Sequence, residues 1–134
     1  MTTYLLDTNI ISYIIRGDHP IVLLRLAAVP IRSISTSVLA EAELRFGLAK
    51  RGYPHGLTTR VEEFLMRIAV LPWTRDVTHA YASLRAQREA SGKTLSRLDL
   101  LIAAHAQAVG AVLVTSDAAF FAGPGGPPLE DWTK

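Results

Sequence analysis

The chain has 134 residues, of which 49% are hydrophobic and 19% are charged, and its formal net charge at pH 7 is only +2. This composition predicts one folded domain over residues 1–134 with a sizeable buried core, and it excludes an intrinsically disordered chain. The absence of cysteine excludes disulfide frameworks, zinc–thiolate sites and thiol nucleophiles; since the chain also has no signal-peptide pattern and no uninterrupted apolar run, we expect a cytoplasmic protein without a membrane span.

Apolar or β-branched segments alternate with segments of helical period along the chain. In chain order the patterns predict a strand at 4–6 followed by a helix, a strand at 32–36, a helix at 37–52, a strand at 67–71, a helix at 96–110, a strand at 111–115 and a short edge strand before Trp132. This alternation predicts an α/β fold of three layers, in which helices cover both faces of a mainly parallel central sheet of four to five strands.

Four acidic residues fall where this fold would bring them to one edge of the sheet. Asp7 follows the first strand and Asp117 follows the strand at 111–115, while Asp99 lies in the first turn of the helix before that strand. Because the carboxyl ends of parallel strands and the starts of crossover helices share one edge, we expect these three carboxylates to lie close together. Glu43 lies about two turns into the helix at 37–52, so it reaches the same crevice only if that helix leans over it.

Each acid also has a purely structural interpretation. Asp7, Asn9 and Asp117 suit helix caps. Asp99 completes a capping box of the form S-x-x-D, and Glu43 could be a solvated helix residue. These interpretations are compatible with a shared site, because a carboxylate that caps a helix can also face a crevice.

Taken together, the four acids favour a bound cation. Crowded carboxylates repel one another and raise each other's pKa unless a cation neutralises them. Ligands that are all oxygen favour Mg²⁺ or Mn²⁺ over zinc, and such an ion can activate water for hydrolysis of a phosphodiester without a protein nucleophile. The four histidines share no metal-binding spacing, so we interpret them as structural or surface residues.

Four blocks of sequence resemble the PIN domain family, and within it the VapC toxins of prokaryotic toxin–antitoxin pairs. The blocks are YLLDTNIIS near the start, SVLAEAELRFG, GKTLSRLDLLIAAHAQAVGAVLVTSD and PLEDW near the end, so the resemblance covers nearly the full length. It implies a PIN-like fold and a Mg²⁺- or Mn²⁺-dependent endoribonuclease that cuts RNA. It also implies inhibition by a cognate VapB-like antitoxin and pairing of the toxin as a homodimer.

The resemblance also implies roles for single residues. The catalytic and metal-binding residues would be the four acids Asp7, Glu43, Asp99 and Asp117. Asn9 would orient Asp7 or a metal-bound water, and Thr115 would support the edge of the fourth strand. The family pattern selects Glu43 over Glu41, whereas periodicity adds only that residues two apart on a helix point about 200° apart, so that one of them can face the site.

Basic residues are concentrated in one part of the chain. Ten of the fourteen lie between Arg45 and Arg97, a distribution that suits either an RNA-binding surface or solvated helix faces. Arg45, Lys93 and Arg97 flank the proposed site and are the expected substrate-binding residues. The resemblance also implies an antitoxin groove on the N-terminal helices, where residues 10–15 and 21–26 would either line the groove or be buried in the core.

Two other functional classes stay open at this point. One is a non-catalytic PIN-like module that uses the basic segment to hold RNA or a partner protein, although four intact acids disfavour it. The other is a different α/β enzyme, such as a phosphatase, a receiver domain or a dinucleotide-binding protein. The loop after the first strand has no glycine for a phosphate cradle, and the triplet Asp7–Thr8–Asn9 lacks the second aspartate of an aspartyl-phosphate phosphatase.

Overall fold

Five strands, seven α-helices and one short 3-10 helix follow one another along the chain, and the computed structural model describes all residues, 1–134. In chain order the elements are β1 (Tyr4–Leu6), α1 (Thr8–Arg16), α2 (Pro20–Ala27), the 3-10 helix (Ile31–Ser33), β2 (Ile34–Ser37), α3 (Val38–Lys50), α4 (His55–Arg67), β3 (Ala69–Leu71), α5 (Arg75–Ser91), α6 (Arg97–Val109), β4 (Val112–Val114), α7 (Ala118–Phe121) and β5 (Leu129–Glu130). None of the helices is both long and apolar enough to cross a membrane.

The strands form one sheet in the order β3-β2-β1-β4-β5, and every neighbouring pair is parallel. In the centre of the sheet, Leu6 at the end of β1 lies opposite Thr36 in β2 and Val114 in β4. The three central strands therefore end at the same edge. The predicted α/β fold with a parallel sheet of four to five strands is confirmed.

Two hydrophobic cores lie on opposite faces of this sheet. Successive side chains of a strand point to opposite faces, and Leu5 and Leu6 are accordingly in different clusters. Leu6 packs with apolar residues of α1 to α4 and with Trp132. Leu5 packs with α5, α6 and α7, where Leu84, Leu100 and Phe120 are buried. Helices thus cover both faces, as the three-layer prediction requires.

The structure corrects some element boundaries. The segment predicted as a strand at 32–36 begins in the 3-10 helix, and the one at 67–71 begins with the last residue of α4. Of residues 10–15, Ile10, Ile11 and Ile15 are buried in the core, whereas α2 leaves Ile21 and Leu24 exposed. The first N-terminal helix is therefore mainly a core element, and the second presents apolar side chains at the surface.

Candidate active site

Asp7 is a buried carboxylate at the point where β1 becomes α1. It is 6% exposed, and its Oδ1 accepts a hydrogen bond of 2.9 Å from the N–H of Ile10, which caps α1. Burial raises the pKa of Asp7 to about 6, against hydrogen bonds from Thr115 and Ile10 that lower it, and the charges of Asp99 and Asp117 raise it further. The sequence therefore places a carboxylate where its negative charge is costly.

Thr115 connects this carboxylate to the segment that carries Asp117. The threonine is fully buried just beyond β4, and its hydroxyl group lowers the pKa of the Asp7 carboxyl group. The same Oγ1 accepts a hydrogen bond of 3.1 Å from the N–H of Asp117. Oδ1 of Asp117 in turn accepts from the N–H of Ala119 at 2.9 Å and caps α7. The buried hydroxyl thus fixes the backbone of Asp117 at the carboxyl edge, and it influences the charge of Asp7.

Asp99 lies in the first turn of α6. The predicted cap is confirmed, because Oγ of Ser96 accepts a hydrogen bond of 3.2 Å from the N–H of Asp99. Burial raises the pKa of Asp99, against a hydrogen bond from Ser96, and the charges of Asp117 and Glu43 raise it as well. Asp99 is therefore close enough to both acids to be repelled by their charges.

Glu43 and Glu41 lie on different faces of α3. Glu43 is exposed and lines the same cleft as the three aspartates, whereas Oε2 of Glu41 accepts a hydrogen bond of 2.7 Å from Nε of Arg45. Since the helix turns by about 100° per residue, the two glutamates cannot face the same cleft. The structure therefore places Glu43, and not Glu41, at the cleft, and its role there stays a prediction.

The acids share a cleft of about 170 Å³ at the carboxyl edge of the sheet. The cleft is lined by Asp7, Thr8, Asn9, Glu43, Leu98, Asp99, Ile102, Asp117 and Phe120. This lining contains four carboxylates and no basic side chain, and Asn9 lies exposed beside Asp7. No three acidic or histidine side chains converge closely enough to hold a single metal ion in this structure. The site is therefore an acidic cleft in which the carboxylates surround an open space.

The predicted basic residues lie outside the lining of the acidic cleft. Arg45 is held by two carboxylates, since Nη1 donates to Oε1 of Glu62 at 2.6 Å in addition to the bond to Glu41. Lys93 and Arg97 are exposed and form no ion pair. Contact of these three side chains with phosphate stays a prediction.

A second cleft of about 160 Å³ adjoins the first and contains two arginines that the sequence did not identify. It shares Thr8 and Glu43 with the acidic cleft and is also lined by Arg16 and Arg51. Both arginines lie at helix C-termini, where basic residues are common because they complement the helix dipole. The sequence gives no signal that separates this ordinary position from a place beside a site.

The buried histidine has a structural role, as the sequence indicated. His105 is fully buried in α6, and its Nδ1 lies 2.8 Å from Oγ of Ser37. Burial lowers its pKa, so that the neutral form is favoured. Ser37 also accepts from the N–H of Leu39, so this pair supports the start of α3.

Comparison with known proteins agrees with this geometry. Residues 4–124 match the model of the PIN domain family. The chain is 37% identical to the VapC ribonuclease Y4jK of Sinorhizobium fredii, covering 95% of this chain and 96% of that protein. It is 31% identical to ribonuclease VapC2 of Haemophilus influenzae, covering 87% and 88%.

A solved structure has the same fold over nearly the whole length. The crystal structure of VapBC2 from Rickettsia felis, bound to a DNA fragment from its promoter, contains a chain that superposes with a TM-score of 0.88 at 30% identity, covering 98% of this chain and 99% of that chain. The protein therefore belongs to the PIN domain family and, within it, to the VapC ribonucleases.

Proposed function

We propose that this chain is a Mg²⁺- or Mn²⁺-dependent endoribonuclease and the toxin of a VapBC pair. The observation that carries the proposal is the acidic cleft, in which four carboxylates from distant parts of the chain line one space with no basic side chain among them. Charges of this kind repel an RNA backbone unless a cation is bound between them. The ribonuclease relatives have matching chain lengths and the same fold.

The chemistry of the cleft fits a hard divalent cation. Its ligands would be Asp7, Glu43, Asp99 and Asp117, and such all-oxygen sets prefer Mg²⁺ or Mn²⁺. The capping bonds of Asp7 and Asp117 each use Oδ1, which leaves a second oxygen outside those bonds. When bound, the ion would supply an activated water and offset charge on the phosphodiester.

The remaining residues of the site would orient and bind. Thr115 would hold Asp7 and the Asp117 segment in place, and Asn9 would orient Asp7 from the rim of the cleft. Lys93 and Arg97 would contact RNA phosphates, since they are exposed and without acidic partners. Arg45 would contribute less than was expected, because two glutamates already occupy its guanidinium group.

The same proposal includes a VapB-like antitoxin, a homodimer and a cytoplasmic location. The second cleft, between α1, α3 and α4, combines apolar residues such as Ile15 and Leu48 with two arginines, and it opens beside Glu43. An antitoxin segment bound there would obstruct the acidic cleft. Light scattering of the toxin alone and with its antitoxin tests both assemblies, and fractionation of cells tests the location.

The proposal is tested by cleavage of RNA with matched acidic variants. Purified protein is incubated with total cellular RNA and Mn²⁺ or Mg²⁺, and new 5′ ends are mapped. We expect the wild-type protein to cleave RNA and a chelator to stop the cleavage. The cleavage rate of Asp7→Asn and of Asp99→Asn should be more than about a hundredfold lower, because losing a metal ligand should cost more than losing a residue that only supports a ligand. Asp76→Asn, in the exposed first turn of α5, is the control and should cleave normally.

A non-catalytic RNA-binding module is the second candidate. The observation that favours it is that no three carboxylates converge to hold one ion, so an ion would have to draw them closer together. Calorimetry decides between the candidates. Binding of RNA without binding of millimolar Mn²⁺, and without new 5′ ends, would support the module and overturn the nuclease.

A further inference from the structure

A buried arginine in α5 has no acidic partner. Arg88 lies in the last turn of the helix and is 2% exposed, and it belongs to none of the ion pairs. Burial lowers its pKa, because the charged form loses its hydration. A buried charge of this kind is tolerated only if its donors are satisfied, so its hydrogen bonds indicate what it does.

The guanidinium group donates to four main-chain carbonyls on three different segments. Nη2 donates to Phe120 O at 2.7 Å, and Nη1 donates to Ala119 O at 3.0 Å and to Lys93 O at 3.2 Å. Nε donates to Pro124 O at 3.1 Å. The planar fork of arginine provides several donors in fixed directions, which lysine cannot reproduce. Arg88 therefore fixes the positions of these segments relative to one another.

Two of the three segments carry acids of the cleft. Ala119 and Phe120 belong to α7, which starts from its cap Asp117, and Lys93 precedes the start of α6, where Asp99 lies in the first turn. Carbonyls at the C-terminal end of a one-turn helix have no partners inside the helix. A cation at this end satisfies them and complements the helix dipole. The guanidinium group thus binds the C-terminal end of α7, opposite the N-terminal end that Asp117 caps.

The third segment is shaped to pass close to the guanidinium group. A Cβ atom added to Gly123 would overlap Nη1 of Arg88 and would lie 2.7 Å from its Cζ, which is closer than real Cβ contacts. Only glycine allows the backbone to lie against the group at this point. The loop after α7 and the arginine therefore fit each other, which a solvated surface charge would not require.

We propose that Arg88 is a positioning residue that sets the distance between Asp99 and Asp117 by holding α7 and the segment before α6 on one guanidinium group. The expected effect of Arg88 on metal binding and activity rests on the proposed metal-dependent function. Its effect on the two segments does not depend on that function. Arg88 does not line the cleft and bonds to none of its acids, and it contacts the lining residue Phe120 only at the main-chain carbonyl. It therefore acts through the backbone that carries the acids.

The test compares Arg88→Leu and Arg88→Lys with Arg85→Leu, a control on the same helix whose arginine bonds to Tyr81 and Glu89 at the surface. All are studied at a temperature where circular dichroism shows them folded. In Arg88→Leu we expect amide hydrogen exchange to accelerate at least about tenfold in residues 93–99 and 117–124 but not in β1. Mn²⁺ should bind about tenfold to a hundredfold more weakly.

The variants separate positioning from general stability. Arg88→Lys keeps the positive charge without the planar guanidinium group, and its hydrogen exchange and Mn²⁺ affinity should lie between those of wild type and Arg88→Leu. If Arg88→Leu does not fold, Arg88→Lys is used for the test on its own. Wild-type exchange in both segments together with unchanged Mn²⁺ affinity would overturn the proposal, even if the variant melts at a lower temperature. If wild-type protein binds no Mn²⁺, the proposed function fails, and the exchange measurement still decides whether Arg88 holds the segments.

Discussion

The charged side chains on the two faces of α3 are in opposite situations, paired on one face and clustered with like charges on the other. On the outer face Arg45 is bonded to Glu41 and Glu62, and these bonds raise the pKa of the arginine and lower that of Glu62. On the inner face Glu43 joins three aspartates, and the pKa values of Asp7 and Asp99 are raised. The outer charges form ion pairs with one another, whereas the inner charges form no ion pair with a basic side chain.

This difference shows which charges are part of the scaffold. Exposed ion pairs contribute little to stability, because water screens them and side-chain entropy opposes them. Clustered carboxylates that are partly buried reduce the folding stability of the protein. Their presence therefore indicates a function rather than a structural role. The difference predicts that variants on the inner face change activity and metal binding, while variants on the outer face change neither.

The largest effect is expected as a difference in activity between variants of the two glutamates of α3. Glu43→Gln removes a charge from the cleft and should lower kcat/KM for RNA cleavage by about a hundredfold to a thousandfold, or about 3–4 kcal/mol of transition-state stabilisation. Glu41→Gln removes a charge of the outer face and should stay within about twofold of wild type. Equal losses in the two variants would show that the faces of the helix do not differ in function.

The second prediction concerns the stability cost of Asp7. A carboxyl group whose pKa is about 6 in the folded protein and 3.8 when unfolded is more readily protonated in the folded state. Stability should therefore fall as pH rises from about 4 to about 6, by about 3 kcal/mol in total. Asp7→Asn removes this term, so the variant should be the more stable protein at pH 7 and equally stable near pH 4.

Urea denaturation of both proteins at each pH measures this effect. His105 acts in the opposite direction, because its lowered pKa makes the folded state less stable as pH falls below about 6.5. Its contribution is the same in wild type and variant and cancels in their difference. A difference that does not change between pH 4 and pH 7 would mean that burial of Asp7 has no electrostatic cost.

A smaller effect is expected from the cation itself. Mn²⁺ at ten times its dissociation constant should raise the free energy of unfolding of wild-type protein by about 1.4 kcal/mol, because it binds only the folded state. Arg45→Ala should respond like wild type, and Asp7→Asn should not respond. Thermal denaturation with and without Mn²⁺ gives this comparison, and a stabilisation that survives Asp7→Asn would place the ion elsewhere.

The sequence identified the parts of the fold whose pattern follows directly from burial. Short apolar segments such as Tyr4–Leu6 predicted the strands, and the polar residues after them predicted the edge where Asp7 and Asp117 meet. The helix α5 was missed because its 17 residues are mostly polar and only Val77, Leu84 and Arg88 are buried. A helix with so few buried positions leaves a weak periodicity.

The candidate site was predictable only in part for a related reason. Capping residues have a local signal, so Asp99 and Asp117 could be placed at helix starts from neighbouring residues. The choice of Glu43 needed the family pattern, because its helix has to lean over the cleft and that is a tertiary property. Arg88 gave no signal at all, since a basic residue in a polar helix normally indicates solvent exposure.

The smallest effect is expected from the outer face. Arg45→Ala breaks the bonds to Glu41 and Glu62, yet it should lower the melting temperature by at most a few degrees, because both partners are solvated once released. Salt should reduce even this difference, since exposed pairs are screened. If Arg45 instead contacts RNA, the variant would lose affinity at every salt concentration and its salt dependence of binding would become weaker. Measuring KM at two ionic strengths therefore decides whether the outer face is scaffold or substrate surface.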